Sequence, residues 1–228
     1  MENRQEEKPP VKIAICLPSL GVWMADFGMS AMSLTAIAST TQFEPGEARS
    51  VVVIERRTSV LPRARQELLE DAIAQECTHA LFMDSDQSFP GDTLHRLMKW
   101  RKPVVACNIA VKTNPSFPTA RLRGPTAFGV PLTSEGKSGL ERVWRIGTGI
   151  MLVDLSVVRD LPKPWFELTW NHKEAQFMTE DWYFCDKLEH AGVEIYVDHD
   201  LSRQIGHIGQ FNFTHANIPS VMTDMAAA

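Results

Sequence analysis

Apolar residues fall in short runs separated by amphipathic stretches, a pattern that predicts strands interleaved with helices. Residues 11–17 (VKIAICL) read as a first strand, broken by Pro18-Ser19-Leu20-Gly21. Residues 25–40, rich in Ala, Met, Leu and Ser, predict a mostly buried helix, and 50–55 a second strand ending in Glu55. Leu61, Ala64, Leu68, Leu69, Ala72 and Ile73 then recur at helical spacing across 61–76, with Pro62 suited to the first turn. The run ALFM ends at Asp84-Ser85-Asp86 and reads as a buried strand running into a turn. A short helix follows from Pro90 through Trp100, then a strand over 103–108. Residues 112–140 hold many Pro, Gly, Thr and Ser and predict loops with short edge strands.

Further strands are predicted over 141–146 and 150–154, joined by the turn Gly147-Thr148-Gly149. A short helix over 155–161 stops at Pro162 and Pro164, and 165–172 form an aromatic-rich loop. Thr179 suits the N-cap of a helix running to Ala191, which Gly192 ends. A last strand spans 193–198, and Ile205-Gly206-His207-Ile208-Gly209 places a histidine between glycines.

This alternation predicts one α/β domain over 11–215, with a loose arm at 1–10 and a frayed tail at 216–228; no internal repeat is seen. A chain of 228 residues, 44% hydrophobic and 22% charged, is ordinary globular material. The net charge of −5 argues against a broadly basic nucleic-acid-binding surface. A local basic set remains: Lys99, Arg101, Lys102, Lys112, Arg121 and Arg123. Cys16, Cys77, Cys107 and Cys185 lack CxxC spacing, so neither a zinc site nor a disulfide framework is supported and reduced thiols in a cytoplasm are expected. No apolar run nears the roughly 20 residues that span a bilayer, and MENRQEEKPP is not a secretory signal, so no membrane insertion is expected.

The candidate chemistry gathers at strand ends, where open α/β sheets bind ligands. Asp84 and Asp86 stand one residue apart at such an end, and burying both unpaired would cost several kcal/mol, so a positive group must meet them. A divalent cation carrying phosphate oxygens is the simplest such group; a turn cap plus a solvated acid is the bland alternative. Glu55 suits a ribose hydroxyl or is an exposed strand-end acid. Arg63 and Arg65 share the first turn of the second helix, where they meet a diphosphate or solvate the helix. Gly149 lets backbone approach a ligand closely. Trp165, Trp170 and His172 stack on a sugar or base, or plug the core. Glu180 and Asp181 lie where the helix dipole favours ionised acids.

Taken together, FMDSDQSFP, LPRARQELLEDA, GTGIMLVD with TEDWYFCDKLEHAG, and IGHIG resemble, in order and over most of residues 11–209, the nucleotide-sugar-dependent glycosyltransferases of GT-A fold, family 2-like. The resemblance implies a Rossmann-like domain whose mixed, mostly parallel sheet is flanked by helices. It implies that Asp84 and Asp86 form a DxD motif, that Asp84, Asp86 and His207 hold Mn²⁺ or Mg²⁺, Asp86 directly, and that Pro18, Ser19, Glu55, Arg63, Arg65, Asp84 and Ser85 border a nucleotide-sugar donor. Arg65 then faces the diphosphate, Asp181 is the base of an inverting transfer with Glu180 beside it, and Gly149, Trp165, Trp170 and His172 lie on the acceptor side. Gln66 departs from the Asn that many relatives carry, and the lack of a transmembrane segment tells against a lipid-linked acceptor.

Three rivals stay in view. A haloacid-dehalogenase-type phosphotransferase also uses a strand-end DxD, but near the start of its chain and followed by a pair such as Gly-Thr; here Gln87-Ser88 follows. A sugar-phosphate nucleotidyltransferase resembles this layout but has a GxGTR loop, which LPSLGVW lacks. A non-catalytic nucleotide-sugar binder is the third. The acceptor is open: a saccharide, a protein, a small molecule, or a hydroxymethylated DNA base if the chain is of phage type and acts in a host cytoplasm. The oligomeric state is open as well.

Overall fold

The computed structural model describes residues 10–40, 49–209 and 212–218; of the expected arm and tail, residues 1–9 and 219–228 lie outside them. In chain order the elements begin with β1 (Val11–Ser19), α1 (Ala25–Thr40), β2 (Arg49–Arg57), α2 (Leu61–Ala74) and β3 (His79–Met83). Next come β4 (Gln87–Ser88), α3 (Thr93–Lys99), β5 (Val104–Ala106), β6 (Arg121–Leu122), β7 (Val130–Pro131), β8 (Leu140–Val143) and β9 (Ile150–Asp154). The last are β10 (Thr169–Asn171), β11 (Gln176–Met178), α4 (Glu180–His190), β12 (Ile195–Asp198), α5 (His199–Ser202), β13 (Gly206–Ile208) and β14 (Asn212–Phe213). Single 3₁₀ turns lie at Leu155–Val157 and His215–Asn217.

Seven strands form the central sheet in the order β2-β1-β3-β9-β5-β12-β8. β2, β1 and β3 run parallel; β9 opposes both β3 and β5; β12 follows β5 and opposes β8. All but β9 and β8 therefore point one way, which is the mixed, mostly parallel sheet expected. Both faces are buried. Ala14, Cys16, Ala80 and Phe82 join a core with Leu68 and Leu69 of α2 and Phe184 of α4. Ile13, Ile15, Leu17, Leu81 and Met83 join a second with Phe27 and Leu34 of α1 and Leu94 of α3. Two covered faces explain why these strands read as unbroken apolar runs.

Because β9 is antiparallel, its first residues arrive at the carboxyl ends of β3 and β5. Met83 pairs with Ile150, and the Asp84 amide donates to the Gly149 carbonyl at 2.9 Å. A small sheet, β14-β13-β4, sits beside this end, and its register sets His207 opposite Gln87. That ladder brings a distant histidine next to Asp86. Ile218 is buried against Ala110.

Several expected elements are corrected. The strand over 141–146 stops at Val143, because Trp144 and Arg145 turn to bond the Arg121 carbonyl. The helix over 155–161 is one 3₁₀ turn, capped by the Asp154 carboxylate accepting from the Ser156 amide. Residues 165–172 are not a single loop. Trp165 and Phe166 are core residues, with the Phe166 ring 4.6 Å from Phe184 and 5.7 Å from Phe82, and Thr169 begins a hairpin of β10 and β11. All four cysteines are buried and free, and among the described residues no helix is long and apolar enough to cross a membrane.

Candidate active site

Arg65 lies on the buried face of α2, among Ala64, Leu68, Leu69 and Ala72, and its side chain is 2% exposed. A guanidinium there must find acceptors. Its Nη2 donates to both oxygens of Asp84, at 3.1 and 3.2 Å, and its Nη1 donates to Glu180 Oε1 at 2.5 Å and to Asp181 Oδ1. Thr148 Oγ1 also donates to Asp181 Oδ1, at 2.8 Å. No donor among the described residues reaches Asp181 Oδ2. One guanidinium thus gathers three carboxylates from the end of β3 and the first turn of α4.

The charges do not balance, and the carboxyls respond. Burial, with the Asp181 charge beside it, pushes Glu180 up to about 7 despite Arg65. Burial also raises Asp84 against the pull of Arg65. Burial lowers the Arg65 pKa, but Asp181, Asp84 and Glu180 outweigh it and hold the guanidinium charged.

Asp86 sits in a different environment. Its Oδ2 accepts from Lys112 Nζ and lies 3.5 Å from His207 Nε2. Burial raises this carboxyl, but the His207 and Lys112 hydrogen bonds outweigh it and hold Asp86 at about 2. His207 Nδ1 is 2.8 Å from the Ala110 carbonyl, so this nitrogen carries a proton, and Nε2 is the ring nitrogen that faces Asp86. The back-bonded imidazole has the support that metal-ligating histidines use. This pair fits a divalent ion completed by phosphate oxygens or water. Among the described residues no group of three or more His, Cys, Asp or Glu forms a fuller metal cluster.

The fold is similar to that of A197 from STIV. That crystal structure superposes with a TM-score of 0.54 at 13% identity, covering 87% of this chain and 86% of its own. Two structures of S. aureus TarS residues 1–349, one with UDP-GlcNAc and one with UDP, overlap with TM-scores of 0.42 and 0.45 at 15% identity. They match 83% of this chain, which spans 56% and 58% of theirs; overlaps that loose carry no argument about activity. No protein-family model matches the sequence, and no curated protein does.

The remaining expected residues divide. Pro18, Ser19 and Glu55 stand together at the ends of β1 and β2, and Glu55 accepts from Trp23 Nε1 at 3.2 Å and Arg57 Nε at 2.8 Å. Ser85 lies in the turn between Asp84 and Asp86, its carbonyl accepting from the Met24 amide. Arg63 is exposed and paired with Glu67 one turn on, so the diphosphate role is not supported for it. Arg65, expected to face the diphosphate, is committed to carboxylates. Trp165 is in the core, its backbone amide donating to Gln66, and is no acceptor contact. Gly149 belongs beneath Asp84, where an added Cβ would meet Ile109 Cδ1 at 2.7 Å and Asp84 Oδ2 at 3.1 Å.

Trp170 and His172 line a cavity of about 460 Å³ between the β10–β11 hairpin and α4, with Asn171, Tyr183 and Asp186. That volume is in the range of ligand pockets. The basic set does not act as one patch. Arg123 pairs with Glu189, Arg121 lies between the Phe117 and Trp182 rings, Lys102 covers Tyr196, and Lys112 is at Asp86. Thr148, which fixes the Asp181 carboxylate, was not singled out from the sequence; its place in the turn beside Gly149 was the available signal.

Proposed function

We propose that this protein transfers a sugar from a nucleotide-sugar donor, a UDP-sugar in the first instance, to an acceptor hydroxyl with inversion. The observation that carries this reading is the convergence of Asp84, Glu180 and Asp181 on buried Arg65, with the Asp86–His207 pair alongside, at the carboxyl end of the sheet. The donor lies across the ends of β1, β2 and β3, with Glu55 on its ribose and its diphosphate toward Asp86. The bond from the sugar's anomeric carbon to the phosphate oxygen breaks as the acceptor oxygen bonds to that carbon from the opposite face. Asp181 Oδ2 takes the acceptor's proton, while Arg65 and Thr148 hold Oδ1 and so set the carboxylate plane. Arg65 is a positioning residue here. Asp86 and His207 would hold a divalent ion, Mn²⁺ or Mg²⁺, which would neutralise charge on the nucleoside diphosphate. Trp170, His172 and Asp186 bound the space assigned to the acceptor, whose aromatic and polar walls suit a saccharide.

The test is UDP release from a panel of UDP-sugars with Mn²⁺, first by slow hydrolysis and then with candidate saccharides. Asp181→Asn should keep donor affinity within about twofold and lose at least about two decades of turnover. A loss below tenfold, or a product that retains the donor's anomeric configuration, overturns the role given to Asp181. No UDP release or binding with any donor overturns the whole reading.

A further inference from the structure

The cation that Asp86 meets inside this chain is Lys112. Its Nζ donates to Asp86 Oδ2 and to the Ile208 carbonyl, the latter at 3.0 Å. An ammonium has three protons to give, and the third has no acceptor among the described residues. Asp86 Oδ2 is also the oxygen that faces His207 Nε2 at 3.5 Å. The oxygen a divalent ion needs is therefore already held by an internal charge. Among the described residues no other Lys or Arg bonds Asp86, since Arg65 is spent on the other three carboxylates.

The backbone beside Lys112 is fixed. The Val111 amide donates to the Phe117 carbonyl at 2.9 Å, Ser116 Oγ donates to the Val111 carbonyl at 2.6 Å, and Ala110 bridges to Pro118. The side chain is a third exposed and carries four flexible carbons. The ammonium can thus change partner with no movement of the loop. A divalent ion on the same oxygen repels it strongly at a half-buried site, where charges interact more than in water.

We propose that Lys112 is an internal cation which a divalent ion displaces from Asp86, and which then turns to a phosphate oxygen of the bound nucleoside diphosphate. This rests on the reading of the site as one for a nucleoside diphosphate and a divalent ion. It makes two opposed demands on one residue. Lys112 weakens metal binding to the free protein and strengthens nucleotide binding to the metal-loaded protein.

Mn²⁺ is titrated into the full chain and followed by the resonance signal of the free hydrated ion; UDP is then titrated calorimetrically at saturating Mn²⁺. Lys112→Met should bind Mn²⁺ about tenfold more tightly than the parent, and UDP about tenfold more weakly, the scale of one neighbouring charge. Lys112→Arg should stay near the parent in both. If the parent binds both ligands and Lys112→Met binds them equally well, the role of Lys112 is overturned and the transferase reading stands. If Lys112→Met weakens Mn²⁺ as well as UDP, Lys112 helps to build the metal site, and displacement is wrong. If the parent binds neither ligand, both readings fall together.

Discussion

Arg65 shows how one charge organises a site. It occupies a position in α2 where the apolar stripe calls for a core residue, and that made it legible: Ala64, Leu68, Leu69 and Ala72 share its face. Reading Arg63 and Arg65 alike, as two basic residues in one turn, missed the distinction that the stripe contains. Arg63 is on the solvent side and Arg65 is inside. What the sequence could not supply is the identity of the partners, because Glu180 and Asp181 lie more than a hundred residues away. Their excess of negative charge has a measurable consequence. Glu180 is held up at about 7 against an ordinary value of 4.5, so between those values the folded chain keeps a proton that the unfolded chain has lost. The stability this gives is full below pH 4.5 and drains away as pH rises through 7. Asp86 works in the opposite sense: held at about 2 against 3.8, it contributes above pH 3.8 and loses that as pH falls toward 2. Thermal melts at steps across pH 5–8 should show Glu180→Gln gaining on the parent steadily as pH rises. A constant difference between the two would mean that Glu180 is an ordinary ionised acid in the fold.

At the scale of elements, legibility follows length and burial. β1, β3 and β9 are covered on both faces and announced themselves as apolar runs; α2 carried a proline and a stripe, and α4 has Thr179 at its N-cap position, although that side chain makes no capping bond. β4, β13 and the β10–β11 hairpin are two or three residues per strand, too short for any period, and they are what carries His207, Trp170 and His172 into place. The turn into β9 illustrates the tightness of the packing. Gly149 lies under Asp84 and against Ile109, and the Asp84 carboxylate cannot retreat because Arg65 holds both its oxygens. Gly149→Ala should therefore displace Asp84 and cost about 1–3 kcal/mol by urea denaturation. Turnover of the still-folded protein should fall by at least about tenfold, since small misplacements at a reacting centre are magnified. Full turnover with unchanged stability would show that the methyl is absorbed by Ile109 alone.

For the molecule as a whole, the antiparallel strand β9 has a consequence for how the chain comes into being. The first five elements, through β3, are a parallel layer built from local crossovers, and the chain emits them first. Their free edge at β3 waits for β9, whose strand lies some seventy residues later, and Arg65 waits longer still for α4. Until then an apolar edge is open and a buried cation has no counter-charge, conditions that favour misassociation of growing chains. A fragment ending at residue 178 retains most of the central sheet's strands yet should not form a cooperatively melting domain; a sigmoidal melt with native near-ultraviolet dichroism would refute this. α4 brings both the carboxylate proposed as base and the charge that lets Arg65 stay inside. Burial of Arg65 and assembly of the carboxylates it gathers then arrive in one step, before β12 and β13 complete their sheets.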